Sequence, residues 1–363
     1  MKIVRTFDSY KKEGRIEAVD FLKLIAACMV IFSHCLLRYV DNWQYGFVYN
    51  LLWITQMPLF MFCSGFLNNK SSKLPSLISY FYKTLKNALV LLVPCLSYLL
   101  LTSALYGHSV SDSFIAFYLN PESNLWFLWV LFIIHVVFDF GLFISNKFSF
   151  KAKSLIPIFL SLMLFILLFV LMKVIGSNFD FSILSLKLIA FYTPFYCVGY
   201  IFYLLVTHLK ETKLLIIAFH LLFIVCSGVA LFVCIYFDSI YYFDDSNVKY
   251  LFIRMFSSLC SIYCLFYLVN YIVKFKTICK ISKLGAFTLQ SYYLHIIYIR
   301  YLTFSSPFVH QQWFISIGVF FLLISMVIAT VAVVYFIPYL HLILFGKSFS
   351  KYKIEKKLPL ILR

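Results

Sequence analysis

Apolar runs of about twenty residues recur along almost the whole chain, near 19–40, 46–67, 87–106, 124–145, 155–175, 184–206, 213–236, 248–272, 284–304 and 312–340. At about 1.5 Å per residue, a helix of that length spans the roughly 30 Å of a bilayer's hydrocarbon core. Hydrocarbon offers no water to a peptide group, so apolar runs of this length satisfy their backbone as α-helices. The fold class that follows is an all-α integral membrane protein, a bundle of about ten transmembrane helices. Composition agrees, with 63% of the residues hydrophobic and 12% charged, where soluble domains carry about 25% charged residues.

The first run starts near residue 19 and has no small-residue cleavage site, which makes it a retained anchor rather than a removed signal. Residues 1–18 are then an N-terminal segment, 19–345 the membrane domain and 346–363 a basic tail. The connections are short, so any chemistry belongs inside the bundle. Basic residues occupy every second connection. Lys2, Arg5, Lys11, Lys12 and Arg15 precede the first run, and Lys70, Lys73, Lys83 and Lys86 follow the second. Further on come Lys147, Lys151 and Lys153, then Lys210 and Lys213, then Lys274, Lys276, Lys280 and Lys283. The alternate connections hold Asp41, Asp112, Glu122, Asp180, Asp238, Asp244 and Asp245. The positive-inside rule therefore puts both termini in the cytoplasm. Topology accounts for the net charge of +17, and no nucleic-acid partner is called for. The cysteines lie mostly within apolar runs without Cys-x-x-Cys or zinc spacing, so they read as packing, with no metal site.

One run is not uniformly apolar. Lys23 and His34 are eleven residues apart, three helical turns plus roughly 20°, so they share a face about 16 Å apart along the axis. Asp20 and Arg38 fall near the same face, and Ala27 and Val30 lie between the charges. Ionisable side chains are costly in hydrocarbon, which makes such a stripe a functional site by default.

The pattern Arg15-x-x-x-x-Asp20-x-x-Lys23, ten residues, then His34 resembles the first helix of the membrane acyltransferase-3 family, multi-pass enzymes that O-acylate glycans. Four later stretches resemble it in order. They are Met57–Leu67 with Ser64-Gly65-Phe66, Asn124–Leu128, Pro194–Tyr200 with its Pro-x-Phe-x-x-Gly-like pattern, and Lys283–His295 ending in Tyr293-Leu294-x-His-like form. Lys23 stands where the family more often has arginine, and Asn124 where it often has histidine. The resemblance implies an acyltransferase that takes acetyl or another acyl group from cytoplasmic acyl-CoA. The acceptor is a hydroxyl of a cell-surface polysaccharide or its lipid-linked precursor. It also implies a bacterial inner membrane. The rival readings are a lipid-linked glycan flippase or other transporter, and a glycan polymerase.

His34 is the expected catalytic residue, as general base or as acyl carrier. Lys23 and Lys70, near the cytoplasmic mouth, suit the phosphates of acyl-CoA, and the resemblance adds Trp126 to the donor pocket. Arg254, His295, Arg300 and Arg38 are the expected acceptor-side residues, Arg254 with an oxyanion role in view. His295 also shares a face with Ser291 and Thr288, the pattern of an interhelical hydrogen-bonding seam. His135, read as lacking a polar partner at helical spacing, is assigned to packing. The charge map makes a direct prediction. A membrane-impermeant thiol reagent on intact cells should modify a cysteine introduced at Ser111 and spare one introduced at Lys276; the reverse pattern refutes the assigned sidedness.

Overall fold

The computed structural model describes residues 16–42, 46–68, 74–107, 109–119, 125–148, 154–175, 183–208, 212–237, 248–301, 312–337 and 340–345. Every regular element among them is helical. In chain order these are α1 (Glu17–Tyr39), α2 (Phe47–Asn68), α3 (Leu77–Tyr106), α4 (Val110–Leu119), α5 (Trp126–Ser145), α6 (Ile156–Ile175) and α7 (Leu186–His208). They continue with α8 (Lys213–Tyr236), α9 (Val248–Ile272), α10 (Lys276–Ser282), a 3-10 turn (Lys283–Phe287), α11 (Thr288–Tyr301), α12 (Gln312–Phe336) and α13 (Leu340–Phe345).

Among the described residues, α1, α2, α3, α5, α7, α8, α9 and α12 are long and apolar enough to cross a membrane, eight in all. The apolar stretches of α4 and α6, Val110–Leu119 and Ile156–Leu171, are shorter. Three sequence expectations need correction. Lys83 and Lys86 do not lie in a connection: α3 begins at Leu77, ten residues before the expected start. Ser76 caps it, its hydroxyl accepting the Ser79 N–H at 3.1 Å while its own N–H donates to the Ser79 hydroxyl, which satisfies two backbone groups that a helix start otherwise leaves open. A short helix, α4, occupies what was read as a connection. The expected run 284–304 is interrupted, because the 3-10 turn separates α10 from an α11 of only 14 residues.

The chain divides into two compact units. The first holds α1, α2 to Leu67, α7 from Val198, α8 to α11, and α12 to Ile328. Within it α1 packs against the 3-10 turn, α11, α10 and α9. Contact register gives the helix directions. Asp20 meets Gly285 and His34 meets His295, so α11 runs parallel to α1. Phe32 meets Phe320, and the Ser316 hydroxyl donates to the Cys35 carbonyl, so α12 runs antiparallel to α1. Helix α7 lies parallel to α2 with Gly199 as the near point: a Cβ there would sit 2.1 Å from the Phe62 carbonyl oxygen. Phe62, Phe66, Phe202 and Phe266 fill the space beside that crossing. At the other end of α2, the Asn50 amide donates to the carbonyls of Cys234 and Phe237. That bonding ties down the end of α8, whose last carbonyls have no partner in the helix itself.

The second unit holds α3 to α6, α7 to Cys197, α12 from Ala329, and α13. Gly141 lets α5 and α6 touch, since a Cβ there would lie 2.5 Å from the Pro157 Cα. Trp126 meets Tyr192 and His135 meets Tyr196, so α5 and α7 run parallel and the chain reverses between them at α6. Between α3 and α5 lies a polar knot. The Lys83 ammonium is 2.7 Å from Asp139 Oδ1 and 2.7 Å from Asn68 Oδ1, while the side-chain amides of Asn68 and Asn87 donate to the Asp139 carboxylate. Asp139 is 1% exposed, so its charge has no recourse to solvent. Breaking a buried pair from one side leaves an uncompensated charge at a cost of about 3–5 kcal/mol, whereas apolar replacement of both partners is far milder. Asp139→Ala should therefore lower the unfolding temperature in detergent sharply, and Lys83→Met with Asp139→Leu should recover most of the loss. Equal melting of native protein and Asp139→Ala would show that the pair contributes nothing.

Candidate functional site

The site is built on α1 and the segment that lies along it. A glycine at position 285 is required by the approach itself: a Cβ would stand 2.0 Å from the Asp20 carbonyl oxygen and 2.7 Å from its carbon. The 3-10 turn therefore lies directly on the α1 backbone. From that contact α11 runs beside α1, and its third turn brings His295 to His34, with ring centroids 5.2 Å apart and planes tilted by 45°. An apolar cluster of Ile31, Cys35, Ile299, Val319 and Leu323 closes the far side of the pair. His295 is 0% exposed. The two residues are 261 apart in the chain, and no local pattern announces their meeting.

The hydrogen bonding of α11 differs from the seam read in the sequence. The Ser291 hydroxyl donates to the Phe287 carbonyl, the Thr288 hydroxyl to the Gly285 carbonyl, and His295 Nδ1 lies 3.0 Å from the Ser291 carbonyl oxygen. All three bond back into their own segment rather than across to another helix. Small hydroxyl side chains have this option because the carbonyl three or four residues earlier is within reach.

Lys23 does share a helix with His34, about 16 Å away by helical rise, and its ammonium is already engaged: Asp20 Oδ1 is 2.7 Å away, one turn back. Glu17 also has a partner, accepting from the Cys279 thiol. The N-terminal end of α1 thus presents a charge pair. Between Lys23 and His34, Ala27 and Val30 are packed, at 4% and 3% exposure.

Arg254 lies on α9 in the same unit. It is buried, and its guanidinium stands over the Trp53 ring at 5.3 Å. Ser257, Ser258 and Ser261 continue its face as buried hydroxyls, and Ser261 bonds Thr55 of α2. Arg38 is exposed in the last turn of α1, where a cation also complements the helix dipole. Trp126 opens α5 in the second unit and stacks on Tyr192 at 5.4 Å. Arg300 is in α11, and Lys70 lies outside the described residues. The structure therefore brings together His34 and His295, and places Arg254 and Lys23 on helices of the same unit.

The partners of three polar residues, His135, Asp139 and Lys83, escaped the sequence reading. His135 has a partner after all: its Nδ1 is 2.9 Å from the Tyr196 hydroxyl, with the rings edge to face. Asp139 follows it by one helical turn, a spacing that the sequence does display. Lys83 escaped because its charge ended the apolar run before its counter-charge was considered.

Residues 16–337 match the family described as an acyltransferase domain. Neither a curated protein nor a solved structure matches the chain. The geometry of the site depends on Gly285, and that dependence is testable. Gly285→Ala should push the 3-10 turn off α1 and destabilise the protein by about 1–3 kcal/mol. Gly318→Ala is the control, because a Cβ there meets nothing within 4 Å. Thermal unfolding in detergent compares the two, and equal melting temperatures would remove Gly285 from this role.

Proposed function

Because this chain belongs to the acyltransferase-3 family, we propose that it moves an acetyl or other short acyl group from cytoplasmic acyl-CoA to a hydroxyl of a surface polysaccharide or its lipid-linked precursor. The coarse part of this reading rests on the family and on the membrane-length helices: the protein is a multi-pass membrane acyltransferase. Donor, acceptor, bacterial inner membrane and cytoplasmic termini are the proposal. Alternation of helix direction supports the topology. The reversal at α6 and the parallel course of α1 and α11 fit ten crossings, although only eight described helices are long and apolar enough by themselves.

The observation that carries the mechanism is the pairing of the half-buried His34, the histidine of the family motif, with the buried His295. In the transfer, a bare nitrogen of the neutral His34 ring takes the acceptor's hydroxyl proton as the oxygen attacks the thioester carbonyl. The tetrahedral oxyanion collapses, the carbon–sulfur bond breaks, and the imidazolium returns the proton to the departing CoA thiolate. Ester and free thiol result, with no net proton change on the protein. Proton transfer by a positioned base is worth about 10²–10⁴-fold in rate. Lys23 serves the donor's phosphates in this scheme in competition with Asp20, and Arg254 lies on the acceptor side.

A gene deletion in the host, complemented with native protein or with His34→Ala, tests the reading. NMR of the isolated surface glycans should show O-acetyl groups restored by the native protein alone, with both proteins accumulating equally in the membrane. Restoration by His34→Ala would reduce His34 to a packing residue. Unchanged acylation on deletion would leave the glycan assignment without support.

A further inference from the structure

His295 has a tautomer that the geometry dictates. Its Nδ1 is 3.0 Å from the Ser291 carbonyl oxygen, and a carbonyl only accepts, so Nδ1 bears the proton. A neutral imidazole has one N–H, which leaves Nε2 a bare lone pair. That atom is buried and has no hydrogen-bond partner, a condition that is costly for a polar group. His34 is the complement. Neutral, it too has one N–H, and among the described residues no acceptor is bonded to it. An unmet acceptor and an unmet donor therefore stand side by side.

The spacing suits a bond between them. Two imidazoles joined by an N–H···N bond of about 2.9 Å have centroids roughly 5 Å apart, because each nitrogen is about 1.1 Å from its ring centre; here the separation is 5.2 Å. His295 keeps its bond to Ser291, and a turn of the His34 ring alone about Cβ–Cγ, a soft torsion in histidine, brings one of its nitrogens towards His295 Nε2.

We infer that His295 is the positioning residue of the acyl-transfer base: its Nε2 accepts the N–H of His34, which fixes the His34 tautomer and turns the second His34 nitrogen, bare, towards the acceptor hydroxyl. The inference rests on the acyl-transfer reading and adds the orienting group to it. When His34 takes the hydroxyl proton, the resulting imidazolium keeps its bond to His295 Nε2, so the positive charge is met by a lone pair. His295 stays neutral throughout and exchanges no proton. Its own orientation is held from behind by the Ser291 carbonyl and from beneath by the Gly285 contact that sets α11 against α1. A base held in the right tautomer by a second group behind it is a recurring arrangement in acyl transfer.

Three proteins in membranes test this: native, His295→Leu, which keeps bulk and loses the acceptor, and His295→Gln, whose carboxamide oxygen reaches about as far as Nε2. Acyl transfer from acetyl-CoA is measured with both substrates varied, alongside thermal unfolding. The expected result is a fall in kcat of about 10- to 100-fold for His295→Leu. The KM for acetyl-CoA should stay unchanged, and His295→Gln should recover a substantial part of the loss. Nitrogen-15 NMR of histidine-labelled protein, with the His34 signals identified by their loss in His34→Ala, supplies an activity-independent readout. The His34 N–H should carry the downfield shift of a hydrogen-bonded proton in native protein and lose it in His295→Leu. Native kcat in His295→Leu, equal losses in His295→Leu and His295→Gln, or an unshifted His34 N–H overturns the inference. Native protein that transfers no acyl group while the His34 shift is present refutes the acyl-transfer reading and leaves the histidine pair standing.

Discussion

Water is absent from the hydrocarbon core, and that constraint governs where every polar group of this protein can go. A soluble domain leaves a stray charge at its surface; a membrane bundle must answer it from within. The protein does so repeatedly. Lys83 is met by Asp139 with Asn68 and Asn87 completing the shell. Lys23 is met by Asp20, Arg254 by the face of Trp53, and the hydroxyls of α11 by their own backbone. Some buried polar atoms are left unmet, among them Gln56 Oε1, Asn270 Oδ1 and Gln290 Oε1. One such atom, His295 Nε2, lies beside His34, the histidine that the family motif marks.

Close backbone approach is what makes the pairing possible. Small residues let membrane helices touch where no hydrophobic drive pushes them together. Gly199 at the α7–α2 crossing and Gly141 at the α5–α6 crossing serve their own contacts, and Gly285 seats the 3-10 turn on α1. From the Asp20–Gly285 contact the two backbones run in the same direction, so His34 and His295 meet further along by geometry alone. A site assembled this way depends on the break at residues 283–287 that the apolar pattern did not reveal.

Much of the architecture was legible because length and apolarity are properties of a single segment. The helices α1, α2, α5, α7, α8, α9 and α12 follow the apolar runs closely. Failures came where a second segment supplies the missing term. Lys83 and Lys86 read as the end of a run, yet Asp139, more than fifty residues on, makes Lys83 tolerable inside α3. The run 284–304 gives no local sign of a break, and its first residues form a 3-10 turn where Gly285 lies against the α1 backbone. For the site, helical periodicity placed Lys23 and His34 on one face, and the motif singled out His34. That Asp20 binds Lys23 was within reach of the same periodicity, being one turn away. The partner of His34 was not, because nothing in a linear pattern registers a parallel contact between the first and the ninth run.

The central claim is acyl transfer at His34, and purified protein in liposomes tests it most directly. With acetyl-CoA labelled in the acetyl group and lipid-linked glycan from the host as acceptor, the account predicts label appearing on the glycan as an alkali-labile ester, in proportion to native protein. His34→Ala, reconstituted to the same density and melting alike, should form none above background. Ester formation by that variant at the native rate, or label that never leaves CoA in the presence of native protein and acceptor, would contradict the account.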